Sequence, residues 1–414
     1  MYMKKFLSLF VAVFYSAIIG ATVGFITWTF LTLVYSGIHL IWYDFLFKEN
    51  NKYLILFTCI LGGIIVGLFQ KYFGKYPKTM QIVLKEFKDT KRVEYKSLPK
   101  SVISALIILW FGASLGPEAA LSGIIGGLVT LAGDFLKYGF KRKKISKNIN
   151  ETLIESSMEA TVAIIFAAPL YGFYNIINKK ERIKKVKIVI YTITILSGFY
   201  VFGLLSKIDN RASFITKFSK AFIGKRELLF FIPLLIIGML LAIYYEKIGE
   251  ILKKILKPLE KYKIIKAILG GILLAIFGLT IPYIFFSGEH ELKNLISDWK
   301  GIGVTWLFII CFSKLLMTEI CISTGWIGGH IFPTMFSGVA MGFAFSNLFN
   351  IDPVFSACVV ATTFISALMQ NYIVAIFLLI LFFPLNLAIF IVIAAILGVK
   401  IINKIQSRKE VKVV

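Results

Sequence analysis

Residues that build metal and covalent catalytic sites are scarce in this sequence. Among 414 residues there are 3 histidines and 4 cysteines. His39, His290 and His330 stand far apart without metal-ligand spacing, and no Ser/His or Cys/His pairing is visible, so an enzyme is disfavoured and no metal or cofactor is expected. Cys59, Cys311, Cys321 and Cys358 all fall inside apolar runs without a CxxC pair, which makes them reduced packing residues. Acidic residues are few as well: 22 Asp and Glu against 46 Lys and Arg, a net charge of +24. The basic residues lie between apolar stretches and form no single face, a pattern of membrane topology and not of nucleic-acid binding. No long polar stretch is present to make a separate soluble domain, and residues 406–414 read as a short charged cytoplasmic tail.

What the chain has in abundance is hydrophobicity: 58% of its residues are apolar and its mean hydropathy is +0.83. These values describe an all-α polytopic membrane protein, in contact with lipid over most of its length. Apolar stretches run over roughly residues 6–46, 53–70, 102–136, 152–177, 188–206, 228–246, 264–286, 303–322 and 334–399. Lys4 and Lys5 precede an apolar run that continues to about Phe47, so a retained first helix with a cytoplasmic N-terminus in the cell membrane is expected.

Loops 71–100, 137–147 and 179–187 are strongly basic and belong on the cytoplasmic side. The intervening segments 102–136 and 149–178 then begin and end on one face, so each is expected to be a re-entrant pair. Each contains a break, at Gly112 to Pro117 and at Ala167-Ala168-Pro169. The acidic loop 287–298 suits the outside, whereas loop 207–226 is basic although the count places it outside.

Glu118 lies within the Gly-rich run 110–127 (WFGASLGPEAALSGIIGG), a carboxylate in a segment read as embedded in the membrane. A charge there is costly and is usually kept for an ion pathway. Pro117 breaks any helix arriving from Leu106 and pre-sets the first turn of a new one, whose N-terminal amides make an anion site. A weak echo follows at 325–338 (GWIGGHIFPTMFSG), where a second Gly-rich stretch leads through a proline into an apolar helix. Small or polar interruptions come after each, at 166–169 and at Gln370-Asn371, and paired discontinuous segments in two halves point to a binding site between repeats.

Together these segments resemble the CLC family of chloride channels and chloride/proton antiporters. Gly116-Pro117-Glu118-Ala119-Ala120 resembles the family's G-R/K-E-G-P helix start, and Gly329-His330-Ile331-Phe332-Pro333 resembles its G-x-F-x-P segment. Residues 318–329 are similar to the Ser/Gly-rich approach to that motif, and 166–172 (FAAPLYG) to the family's F-N-A-P-L-A-G. The resemblance implies a homodimer, each subunit a single domain over residues 1–405 made of two inverted repeats, about 1–206 and 228–400, with its own anion pathway. It also implies that Glu118 is the gate, and that Gly74, Gly116, Pro117, Ala119, Gly328, Gly329, His330, Ile331 and Phe332 surround a chloride or other small anion.

The sequence departs from the family at several places. Gly74 stands where the selectivity serine of G-S-G-I-P falls, Lys179 stands at the position of the antiporters' proton-relaying glutamate, and the tyrosine of the last helix has no counterpart after Tyr372. The C-terminal regulatory domains of many relatives are not expected here. A gate glutamate without the second carboxylate is the pattern of channels, while a buried lysine can itself carry a proton and leave exchange open. A scaffold that kept the fold and lost the pore is a third reading.

The candidate residues also have plainer readings. Glu118 can cap its own helix, the glycines can serve close packing, and the His330 ring can be packed while only its backbone matters. Lys314 and Glu319, five residues apart in an apolar run, suggest a structural ion pair, and Glu155 and Glu159 offer a substitute proton path.

Overall fold

A computed structural model of the chain describes residues 2–49, 51–90, 92–140, 184–208 and 216–411. The described residues are helical with no strand. In chain order the helices are α1 (Tyr2–Ile38), continued by a π-helical turn His39–Leu46, then α2 (Lys52–Phe73), α3 (Met80–Thr90), α4 (Leu98–Trp110), α5 (Glu118–Phe140) and α6 (Lys184–Ile208). They continue with α7 (Lys225–Leu256), α8 (Lys263–Thr280), α9 (Glu289–Ile302), α10 (Val304–Thr324), α11 (Ile331–Phe349), α12 (Pro353–Met369), α13 (Tyr372–Leu379) and α14 (Ala388–Val411). Eight helices among the described residues are long and apolar enough to cross a membrane, so the protein is an all-α, multi-pass membrane protein.

The break expected between Gly112 and Pro117 is present, because α4 stops at Trp110 and α5 starts at Glu118. Thirteen residues at 1.5 Å each make α4 about 20 Å long, short of the hydrocarbon core. The second expected break, with Glu155, Glu159 and Lys179, lies outside the described residues. Two helices fall where sequence hydropathy indicated loops: α3 within 71–100, and α9, which starts in the loop 287–298 and runs on to Ile302. Both are short and amphipathic; α9 buries Leu292 and Leu295, three residues apart, beneath an otherwise polar surface.

The chain forms two compact units. One comprises Met1–Gly37, Tyr76–Leu106 and Pro117–Ser213. In it α1 and α6 cross closely at small residues: a Cβ at Gly24 would lie 3.1 Å from the Gly198 Cα. The Val93 amide donates to Thr130 Oγ1 at 3.0 Å, and Arg92 pairs with Asp134, which ties the segment after α3 to α5.

The other unit comprises Ile38–Lys75, Ile107–Gly116 and Phe214–Val414. Its core is α12, a helix apolar all round, with Val354 to Ala367 buried without interruption. Asp352 starts it by accepting the Phe355 amide at 2.8 Å, and Pro353 occupies the first turn, where its missing N–H costs nothing. Helices α7, α11 and α14 pack around it. A Cβ on Gly338 of α11 would come within 2.8 Å of the Ala361 Cα, so these helices meet backbone to backbone.

Candidate functional site

The loop Phe111 to Gly116 is held from several sides within its unit. Trp42, fully buried, donates its indole N–H to the Trp110 carbonyl at 2.8 Å and so satisfies an orphan acceptor at the end of α4. Gly112 follows with φ of 80°, pressed against the same indole, a position that suits glycine alone on both counts. The Phe286 amide donates to the Gly112 carbonyl at 3.2 Å, and Ser114 Oγ lies 3.3 Å from Thr318 Oγ1.

A second loop, Gly325 to His330, joins α10 to α11. Gly325 closes α10 in the left-handed conformation, φ 102°, and its carbonyl accepts the Gln70 side-chain amide. Trp326, fully buried, donates its backbone amide to the Cys321 carbonyl at 2.9 Å and its indole N–H to the Ala267 carbonyl at 3.0 Å. The loop is thereby fixed to α2, α8 and α10.

The two loops meet in one antiparallel bridge. The Gly116 amide donates to the Gly329 carbonyl at 2.8 Å, and the Gly329 amide returns to the Gly116 carbonyl at 2.9 Å. Both amides, of residues that the resemblance places around an anion, are therefore engaged with each other's carbonyls, and the pair acts as a clamp between loops. Gly328 serves close approach, since a Cβ there would lie 2.7 Å from Leu115 Cβ. Beyond the clamp, His330 is the residue before α11; its carbonyl accepts the Thr334 amide at 3.0 Å, and its ring centre is 5.9 Å from that of Tyr245. Ile331 is buried, and the ring of Phe332 is 6.5 Å from that of Phe382. Gly74, also in this unit, ends α2 with φ of 95°.

In the other unit, Glu118 opens α5 and is 4% exposed. The Pro117 carbonyl accepts the Leu121 amide at 2.9 Å, which makes proline the turn-setting residue, and buried Ala119 accepts Ser122 Oγ at 2.8 Å. Chain continuity puts Glu118 two residues beyond Gly116 of the clamp.

Lys314 and Glu319 do not pair. Lys314, fully buried, donates to four carbonyls, those of Tyr283 (3.0 Å), Ile284 (3.1 Å), Phe285 (3.0 Å) and Phe286 (2.7 Å). Glu319 instead faces α7, where a Cβ on Gly249 would be 2.7 Å from its Oε2. Five residues along a helix put side chains on different faces, which is the physical reason for the divergence. This carbonyl cage was not visible in the sequence; the only signal was a lysine amid apolar neighbours. The four cysteines are free and buried.

Comparison with known proteins bears on this geometry. An uncharacterised protein of Methanocaldococcus jannaschii is 22% identical over 306 residues, covering 73% of this chain and 72% of its own length. Among solved structures, a CLC-type fluoride/proton antiporter superposes with a TM-score of 0.71 at 19% identity, covering 95% of each chain. A slow cyanobacterial Cl−/H+ antiporter gives 0.74 at 17% identity, covering 94% of this chain and 93% of the other. A eukaryotic CLC transporter gives 0.71 at 16% identity, covering 97% of this chain and 72% of its own. The family model described as voltage gated chloride channel matches residues 62–403, which takes in both clamped loops, and the chain therefore belongs to the CLC family.

Proposed function

We propose that the protein is a CLC-type anion channel that passes chloride, with Glu118 as its gate. The observation that carries this reading is a buried carboxylate at the first position of a helix that begins inside an apolar segment. Helix N-termini attract anions, so an ionised Glu118 competes with halide for the same potential, and protonation removes the competitor. The Gly116–Gly329 clamp fixes the loop from which His330, Ile331 and Phe332 follow, and these supply donors to the anion; Ala119 belongs to the first turn after Glu118 in its own unit. Pro117 and Gly328 shape these approaches, and Gly74 leaves the serine's place without a hydroxyl, which keeps fluoride open beside chloride.

The functional unit is a homodimer of single transmembrane domains, built from repeats at about 1–206 and 228–400. It lies in the cell membrane with the N-terminus in the cytoplasm, and its basic loops face that side.

Proton-coupled exchange is the second reading, since two of the similar structures belong to proteins described as antiporters. Lys179 in place of the relay carboxylate favours the channel. In proteoliposomes, a chloride gradient imposed without other driving force is expected to move no protons, and Glu118→Gln is expected to alter gating while chloride still passes. Uphill proton movement would replace the channel by the exchanger, and a Glu118→Gln variant with unaltered gating would remove Glu118 from its role.

A further inference from the structure

The cage around Lys314 contains more than is needed to bury a lysine. An ammonium has three hydrogens, yet four consecutive carbonyls converge on Nζ, and the ring centre of Phe336 lies 5.5 Å away. The residue that gives the shortest of these bonds, Phe286, has φ of 60°, a left-handed conformation strained for an aromatic side chain. The same residue donates its amide to Gly112, at the head of the loop that ends in the Gly116 clamp.

Five residues further on stands Glu291, in the first turn of α9. It is 8% exposed, and its Oε2 has no hydrogen-bond partner among the described residues. The carboxyl is near enough to Lys314 to feel its charge. Other charged or titratable groups around the cage are His290 and Asp298 on α9, Tyr283 in the turn, and Cys321 on α10; α11, which supplies Phe336, carries none. A buried carboxyl with an empty acceptor beside a cation already saturated by carbonyls has two stable forms, neutral or ionised, and each leaves Lys314 a different balance of partners.

We infer that Glu291 is a proton-binding site, and that Lys314 passes its charge state to the turn Pro282 to Phe286 and so to the loop bearing Gly116. The proton comes from water on the face that carries α9 and returns there; no other bond is made or broken. Ionised, Glu291 draws the ammonium and weakens its hold on the Phe286 carbonyl; protonated, it leaves the cage closed. Burial raises the Glu291 carboxyl above its ordinary value, with the Lys314 charge opposing, so the change falls on the alkaline side of an ordinary glutamate. The transport consequence rests on the reading that the Gly116 loop borders the anion path.

Two measurements test it separately. Chloride flux in proteoliposomes is measured against pH in a Glu118→Gln background, which removes the gate's own titration. The background is expected to change flux at least about fivefold across the transition, the lower end of an ordinary coupling between sites. Adding Glu291→Gln flattens that response without abolishing flux, Lys314→Arg keeps it and Lys314→Met loses it. An unchanged response with Glu291→Gln overturns the inference. If no chloride passes at any pH, the anion reading fails by itself, and infrared difference spectra decide the proton site. A neutral buried carboxyl band that vanishes on raising pH and is absent from Glu291→Gln supports it, and identical spectra for the two proteins overturn it.

Discussion

Gly112 is fixed by two neighbours and by its own backbone: the Trp42 indole fills the place a Cβ would take, the Phe286 amide donates to its carbonyl, and its φ is positive. Gly112→Ala adds the left-handed penalty for a Cβ to an overlap with a buried ring, together about 2–4 kcal/mol of destabilisation. A thermal unfolding midpoint for purified Gly112→Ala equal to that of the unchanged protein would show that neither constraint acts. Glu291 adds a pH term of definite sign. Its folded value is raised by burial, so its contribution to stability is complete below the unfolded carboxylate value and is lost as pH rises through the folded one. At this scale the sequence displayed Glu118, Pro117 and the glycines, because their meaning is local: a charge in an apolar run, a ring that fixes φ, a missing Cβ. It did not display the carbonyl cage, for Lys314 meets partners 28 to 31 positions away. Nor did it show that the Gly116 and Gly329 amides each donate to the other residue's carbonyl, since that pairing depends on how two distant loops meet.

Among the elements, long apolar helices followed directly from hydropathy, and their ends from capping. Asn51 accepts the Tyr53 amide at 2.9 Å where α2 begins, and Asp352 does the same for α12. The interruption at Gln370-Asn371 also stands: Gln370 adopts φ of 51°, and Asn371 caps α13 through the Ile373 and Val374 amides. Helices α3 and α9 escaped notice because a short helix with one apolar stripe has too few apolar residues to register as a run. α7 reaches ten residues beyond the apolar stretch that announced it, carried on by lysines and glutamates that suit a helix leaving the membrane. Close packing at Gly338 and Gly342 leaves the α11–α12 contact no room for added volume, since α12 has no free face toward which to move. Gly342→Leu is expected to abolish the folded monodisperse protein in detergent, whereas Leu229→Ala on the exposed side of α7, where Leu229 is 74% exposed, leaves it intact. Equal elution behaviour of the two variants would contradict that ranking.

For the whole molecule, net charge and hydropathy set the class, and the order of the motifs set the family, which the match over residues 62–403 bears out. The exposed apolar side chains on α1, α2, α7 and α14 suit a surface that meets lipid. Under the proposed function, the departures at Gly74 and Lys179 belong to this scale, as the positions at which selectivity and proton coupling would be set. The central claim is that this chain lets a small anion across the membrane along a path gated by Glu118. The most direct test is chloride efflux from liposomes reconstituted with purified, monodisperse protein, compared with protein-free liposomes. Efflux well above the protein-free rate, with gating altered in Glu118→Gln, is the predicted result; efflux no faster than from empty liposomes, for chloride and fluoride alike, would contradict it.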